Sequence, residues 1–220
     1  MDKSIENDIK HYYADRAYEY NKTYLRPERQ KDIKKLHRLL KILFIDQFVL
    51  EIACGTGYWT KTIASVSKFI TAIDINNEVL QIARNRGIPS NQAVFIQDDV
   101  YILKKIQDTF SAGFAGFWWS HISKSKLKQF IFSFHLKLQS KALVVFIDNR
   151  RVKRSSTPIS RMDVEGNTYQ IRKLEDGREY EILKNFPTKK EIRDTLGNEV
   201  KNLKIKFLKY FWIVSYNKLP

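Results

Sequence analysis

A chain of 220 residues, of which 43% are hydrophobic and 29% are charged, is long enough for one domain with a substantial core. The single cysteine, Cys54, excludes an internal disulfide, and no apolar run approaches the ~20 residues that span a bilayer. The first residues lack the apolar segment of a secretion signal, so we expect a cytoplasmic protein without a membrane partner.

The net charge of +15 is unevenly distributed along the chain. Residues 1–123 contain 17 Lys and Arg against 14 Asp and Glu, whereas residues 124–220 contain 22 against 10. A basic C-terminal part can bind nucleic acid or anionic substrates. The lysines are scattered rather than clustered, which favours a solvated basic surface. Nucleic acid is therefore a partner that the sequence allows but does not favour.

The first 45 residues are predicted to be helical. Residues 5–24 favour one helix that carries several tyrosines, and Pro27 disfavours its continuation. Apolar residues from Ile33 to Leu43 recur at spacings of three and four, which predicts a second helix over 28–43.

Predicted strands and helices then alternate as far as residue 150. Strands are expected over 48–53, 69–75, 93–97, 112–119 and 142–147, with helices over 58–66, from Asn77 to Gly87, and over 123–138. This alternation predicts an α/β fold with a doubly wound, mostly parallel sheet.

After Asp148 the pattern changes. Residues 169–174 and 178–183 alternate around an Asp-Gly turn, which predicts a β-hairpin. Thr188 and Glu191 form a capping box for a short helix, and residues 203–216 suit two further strands. We expect a single domain over 1–220, with N-terminal helices or a lid (1–45), a cofactor-binding core (46–150), a hairpin insertion (151–186) and a terminal helix and strands (187–220).

The loop from Glu51 to Gly57 joins the first strand to the next helix. Gly55 and Gly57 allow a tight turn and the close approach of a ligand. A dinucleotide site would need a third glycine where Thr60 stands, and Glu51 would repel a pyrophosphate. A cationic ligand reverses that argument, because Glu51 can attract its positive charge.

Further acids follow the next two strands. Asp74 ends the second strand and can bind both hydroxyls of a ribose. Asp98 and Asp99 follow the third strand, and one of them could accept a hydrogen bond from an adenine amino group. These acids lie at the carboxyl edge of the predicted sheet, where open α/β sheets bind ligands. Together with Glu51 they suit S-adenosylmethionine, which has an amino group and a sulfonium but no phosphate.

These motifs resemble those of class I S-adenosylmethionine-dependent methyltransferases. The loop from Glu51 to Gly57 is similar to the family's acid-x-Gly-x-Gly-x-Gly motif, with Ala53 in place of the first glycine. Asp74 matches the ribose acid, and Asp99 fits the adenine contact better than Asp98. Residues 114–121 resemble the family's fourth motif, and residues 13–20 resemble its lid helix. The hairpin insertion over 151–186 lies where the family builds substrate specificity, so the resemblance implies that it roofs the pocket. The resemblance implies seven strands in the order 3-2-1-4-5-7-6, with S-adenosyl-L-methionine as donor and S-adenosyl-L-homocysteine as product.

Three groups of candidate site residues follow from the motifs and the resemblance. The cofactor-binding candidates are Tyr20, Glu51, Ala53, Cys54, Gly55, Gly57, Tyr58, Trp59, Asp74, Ile75, Asp98, Asp99, Val100, Phe117 and Trp118. Candidates for binding the acceptor are Trp119, Asp148 and Arg150, and candidates for catalysis are His121 and Tyr13. His121 is either a general base or a structural histidine. The histidines give no metal-ligand spacing, so we expect no metal.

The sequence thus predicts an enzyme that transfers a methyl group to an N, O or C atom of a small-molecule acceptor. The donor is already activated, so the protein chiefly aligns two reactants and excludes water. One alternative is an RNA or protein methyltransferase that uses the basic C-terminal part, although no RNA-binding appendage is evident. Another is a non-catalytic module that binds S-adenosylmethionine. We expect a monomer or a homodimer.

Overall fold

The computed structural model describes the backbone of residues 3–220 and the side chains from residue 8 onward. The first two residues of the predicted N-terminal region 1–45 therefore lie outside the described residues. The helices are α1 (Lys3–Asp15), α2 (Gln30–Leu43), α3 (Tyr58–Ala64), α4 (Asn77–Arg84), α5 (Lys124–Leu136) and α6 (Lys189–Leu196). Short 3-10 helices span Tyr20–Leu25, Pro27–Arg29 and Trp119–His121. Within residues 3–220, no helix is long and apolar enough to cross a membrane.

The strands form two sheets. They are β1 (Phe48–Ile52), β2 (Phe69–Asp74), β3 (Ala93–Gln97), β4 (Phe110–Gly116), β5 (Leu138–Asn149), β6 (Arg161–Met162), β7 (Thr168–Lys173), β8 (Glu179–Leu183), β9 (Val200–Phe207) and β10 (Phe211–Lys218). The larger sheet has the order β3-β2-β1-β4-β5-β10-β9, and the smaller one has the order β6-β7-β8. When the strands of the larger sheet alone are numbered in chain order, β9 and β10 become the sixth and seventh, and the order is the expected 3-2-1-4-5-7-6. The α/β prediction is therefore confirmed.

The central strands are parallel and buried on both faces. One face packs against α5 through Phe130 and Phe134, and the other packs against α2 through Leu36 and Leu40. Helix α5 approaches β4 so closely that a Cβ added at Gly113 would lie 2.6 Å from the Phe134 ring. The apolar strand pattern of the sequence follows from this double cover.

The N-terminal region departs from the predicted single helix over 5–24. Helix α1 ends at Asp15, and a 3-10 helix begins at Tyr20. The buried Ala17 lies in the turn between them, while Tyr18 is 84% exposed. A continuous helix would not bring Tyr13 and Tyr20 together, whereas the turn places their ring centroids 5.6 Å apart. Tertiary packing of the tyrosines has overridden local helix propensity.

The insertion contains the expected hairpin, formed by β7 and β8. The two-residue strand β6 was not predicted, because two residues are too few to show alternation. Helix α1 packs against this small sheet, with Ile9 and Tyr12 contacting a cluster that includes Ile182 and Leu183. The small sheet and α1 together form a unit that we call the cap. Packing against the small sheet places α1 next to the carboxyl ends of β1 and β2.

Candidate active site

The loop after β1 contains three alternate residues with left-handed backbone conformations. Their φ angles are 52° at Ala53, 54° at Gly55 and 73° at Gly57. This geometry explains the spacing of small residues, since a left-handed conformation costs L-residues other than glycine roughly 1–2 kcal/mol. Gly57 precedes the first residue of α3, so the loop leads directly to a helix N-terminus.

Glu51 is 2% exposed, and its Oε2 atom has no hydrogen-bond partner among the described residues. Burial raises the pKa of this carboxyl to about 8. A buried carboxyl oxygen without a partner is costly unless a ligand supplies a cation or a donor. The amino group of S-adenosylmethionine fits that requirement.

Asp74 ends β2 beside the loop. Its Oδ2 accepts a hydrogen bond from the Gly55 N–H at 2.9 Å, and its Oδ1 accepts one from the Asn76 N–H at 2.9 Å. Burial raises the pKa of Asp74 to about 6. Each carboxylate oxygen can accept a further hydrogen bond, and the residue lines the cavity described below. Asp74 is therefore placed to bind a pair of hydroxyls.

The structure separates the two acids after β3. Asp99 lines the cavity, whereas Asp98 is occupied within the turn. The Asp98 carboxylate accepts hydrogen bonds from the backbone N–H groups of Asp99 and Lys105, each at 2.8 Å. Asp99 thus remains the candidate for the adenine contact.

Asp74 and Asp99 line a first cavity of about 280 Å³. The cofactor-binding candidates that line it are Tyr20, Ala53, Gly55, Asp74, Ile75, Asp99, Val100, Phe117 and Trp118. The candidates outside its lining are Glu51, Cys54, Gly57, Tyr58, Trp59 and Asp98. Two of these have clear packing roles: Cys54 packs against Leu80, and Tyr58 stacks on Tyr24 with ring centroids 3.8 Å apart.

Tyr13 and His121 meet at the wall of the first cavity. The Tyr13 hydroxyl lies 2.7 Å from His121 Nε2, and His121 Nδ1 lies 2.8 Å from the Leu183 carbonyl oxygen. A carbonyl can only accept, so Nδ1 carries the hydrogen and Nε2 accepts from Tyr13. Burial and the nearby Lys184 ammonium lower the pKa of His121 well below 6.5. His121 is therefore neutral.

A second cavity of about 80 Å³ adjoins the first, and we call it the basic chamber. It shares Tyr13, Tyr20 and Phe117 with the first cavity. Its lining contains five cationic side chains and, among the described residues, no acidic one. The cations are Arg16, Arg26, Arg29, Arg172 and Lys184. The sequence prediction missed all five, although two of them, Arg172 and Lys184, belong to the insertion that was expected to roof the site.

The predicted acceptor-binding residues are dispersed. Asp148 is fully buried and pairs with Lys184 at 3.2 Å, which places it behind the basic chamber. Trp119 packs in the core against Trp212. Arg150 donates a hydrogen bond to the Leu208 carbonyl and lies outside the lining of the chamber. Trp119 faces the core and Arg150 faces the turn before β10, so neither residue lines the first cavity or the basic chamber.

Comparison with known proteins identifies the core. Residues 49–140 match the family model described as a methyltransferase domain. No curated protein shows significant sequence similarity to the chain. A solved structure described as a DhpI-SAH complex is 23% identical, with both chains covered completely and a TM-score of 0.83. One described as a DhpI-SAM-HEP complex is 23% identical over 98% of this chain and 99% of the other, with a TM-score of 0.81. The N-methyltransferase NodS from Bradyrhizobium japonicum WM9 is 13% identical over 89% and 98%, with a TM-score of 0.61.

Residues 49–140 are thus identified as a methyltransferase domain, and the sheet has the strand order of the Rossmann-like methyltransferase fold. The site beside Asp74 suits S-adenosylmethionine, which would supply an activated methyl group there. Within the described residues, no group of three or more His, Cys, Asp or Glu side chains could hold a metal ion.

Proposed function

We propose that this enzyme transfers the methyl group to a small acceptor that carries an oxyanion, and that the oxyanion binds in the basic chamber. The observation that carries this proposal is the chamber itself. It adjoins the donor cavity, it has cationic side chains and no acid in its described lining, and its small volume suits a head group rather than a polymer.

Arg16 and Arg172 are at least partly buried and have no acidic partner among the described residues. Arg172 donates to Thr157 Oγ1 at 2.8 Å and to Gln170 Oε1 at 2.7 Å, and its Nε is buried without a partner. Arg16 donates to the hydroxyls of Tyr12 and Thr23. Neutral partners leave the guanidinium charges unpaired, and burying an unpaired charge is expensive. A bound carboxylate, sulfonate or phosphate-type group would offset that cost with charge-assisted hydrogen bonds.

The boundary between the two cavities supports Tyr13 and His121 as the catalytic pair. Tyr13, Tyr20 and Phe117 line both cavities, so a group passing from donor to acceptor crosses beside them. Phe117 has a φ angle of 61°, an uncommon conformation for a bulky residue and one often found at functional sites. Tyr13 contacts the reactants in this proposal, and His121 acts on them through the Tyr13 hydroxyl. The DhpI complex with SAM and HEP supports the view that this fold can hold the donor and a second molecule together.

Binding of inorganic phosphate to the protein saturated with S-adenosylhomocysteine tests the chamber by calorimetry. We expect phosphate to bind, and Arg172→Met to weaken it about ten- to hundredfold, because a hydrogen bond to a charged group contributes about 1.5–3 kcal/mol. Arg193→Met is the matched control, since Arg193 is exposed on α6 and outside the chamber. Equal phosphate affinity in wild type and Arg172→Met, or no binding at all, would overturn the proposal.

A further inference from the structure

Lys184 lies at the centre of a buried polar cluster. Its Nζ is 2.6 Å from Ser120 Oγ, 3.2 Å from Asp148 Oδ1 and 3.4 Å from His121 Nε2. The residue is 4% exposed. An ammonium has three hydrogens and no lone pair, so three acceptors around it match its bonding capacity. Ser120 is itself fixed, because its N–H donates to Asp148 Oδ2 at 2.9 Å.

The same cluster determines the state of His121. Nδ1 must hold a hydrogen for the Leu183 carbonyl, and Nε2 faces two donors, Lys184 and Tyr13. A hydrogen on Nε2 would remove the acceptor that Nε2 offers to Lys184 and Tyr13. The Tyr13 hydrogen consequently points to His121, and the remaining lone pairs of the Tyr13 oxygen face away from the histidine.

We propose that Lys184 is a positioning residue that fixes His121 as the neutral Nδ1–H tautomer, so that Tyr13 presents an oxygen lone pair to the boundary between the two cavities. This inference rests on the proposed function in one respect, namely that the methyl group crosses at that boundary. A lone pair there would align the methyl carbon through weak C–H···O contacts, whereas a hydroxyl hydrogen would oppose it.

The charges around His121 agree with this role. Lys184 follows β8, Arg172 lies on β7, and both oppose a positive charge on the imidazole. Asp148 on β5 favours such a charge but is engaged by Lys184. Tyr13 on α1 remains a hydroxyl, because burial raises its pKa well above 10. Removing Lys184 should therefore allow His121 to take up a proton at higher pH.

Nitrogen NMR of His121 in the cofactor-free protein tests the inference without any acceptor. The His121 signals are assigned by their loss in His121→Gln. In wild type we expect the neutral Nδ1–H tautomer to persist well below pH 6.5. In Lys184→Met the titration should move up toward 6.5, and Lys184→Arg should keep the wild-type behaviour. In kinetics, the acidic limb of kcat should move to higher pH in Lys184→Met, with less change in KM for the donor.

Two results would overturn the inference. One is an Nε2–H tautomer in the wild-type protein, a result that depends on no variant and so holds even if Lys184→Met does not fold. The other is a His121 titration that is the same in folded Lys184→Met as in wild type. Failure of phosphate to bind would instead refute the proposed acceptor class and leave the tautomer measurement untouched.

Discussion

At the scale of single residues, the buried Glu51 carboxyl is the group that we expect to meet the amino group of the donor. The folded carboxyl is buried and holds a proton up to a pKa of about 8, against an ordinary value of 4.5. The unfolded chain releases that proton at the lower value. The free energy of unfolding should therefore fall as pH rises from about 4.5 to about 8. Binding of the donor's amino group would reverse that penalty.

Glu51→Gln tests this account. In wild type, the affinity for S-adenosylhomocysteine should rise with pH, by up to tenfold per unit well below pH 8, because the ammonium binds the ionised carboxylate. The variant should lose this slope and bind more weakly at pH 8, as calorimetry between pH 6 and pH 8 would show. Glu199→Gln, an exposed residue beside β9, should behave as wild type. A flat wild-type profile would mean that Glu51 does not meet the cation.

At the residue level, the sequence located Asp74 and Asp99 at the edge of the sheet where both line the first cavity, and their binding of the donor stays a prediction. Asp74 and Asp99 follow successive strands, and the carboxyl ends of parallel strands necessarily share one edge. Arg16, Arg172 and Lys184 could not be found in that way. They converge only because α1 and the small sheet pack together, and no spacing along the chain records that contact.

At the scale of elements, the cap contributes side chains from α1 and the small sheet to both cavities. Helix α1 carries Tyr13 into the first cavity, and it is held by an apolar cluster shared with the small sheet. Exposed ion pairs, Asp15–Arg178 and Lys22–Glu175, lie at the outside of the cap. Exposed ion pairs contribute little to stability, so the apolar contacts should dominate.

A pair of cap variants distinguishes the two contributions. Ile182→Ala should lower the free energy of unfolding by about 2–5 kcal/mol, since Ile182 is 1% exposed. It should also weaken binding of S-adenosylhomocysteine, because α1 would lose its support. Arg178→Met should change stability much less than Ile182→Ala does, because exposed ion pairs are screened by solvent. Denaturant unfolding and calorimetry measure both effects, and a larger loss in Arg178→Met would mean that the ion pairs hold the cap.

The elements themselves were largely predictable. Continuous apolar runs such as 142–147 identified the strands, and the capping box at Thr188 and Glu191 is present in the structure. The prediction was wrong where tertiary contacts compete with propensity. The helix expected over 5–24 is broken, and the turn after Asp15 lets Tyr20 and Tyr24 pack at the cavities while Tyr18 stays exposed.

At the scale of the whole molecule, the basic side chains behind the charge of +15 include two groups in contrasting positions. The lysines of β9, Lys201, Lys204 and Lys206, are exposed along the edge strand of the large sheet. Lysines in such a position discourage edge-to-edge pairing with another sheet. The cations of the basic chamber converge on one volume, and four of the five, all but Arg26, are buried or half-buried. The composition gives only the net charge, and the positions of these side chains follow from the fold.

Methyl transfer from labelled S-adenosylmethionine tests the central claim most directly. The substrates are small carboxylates, sulfonates and phosphate-type acids, each paired with its neutral ester or amide. We predict label on the acids and little on their neutral partners, with Arg172→Met reducing the difference. Label that appears equally on neutral partners, or only on RNA or protein, would contradict the account.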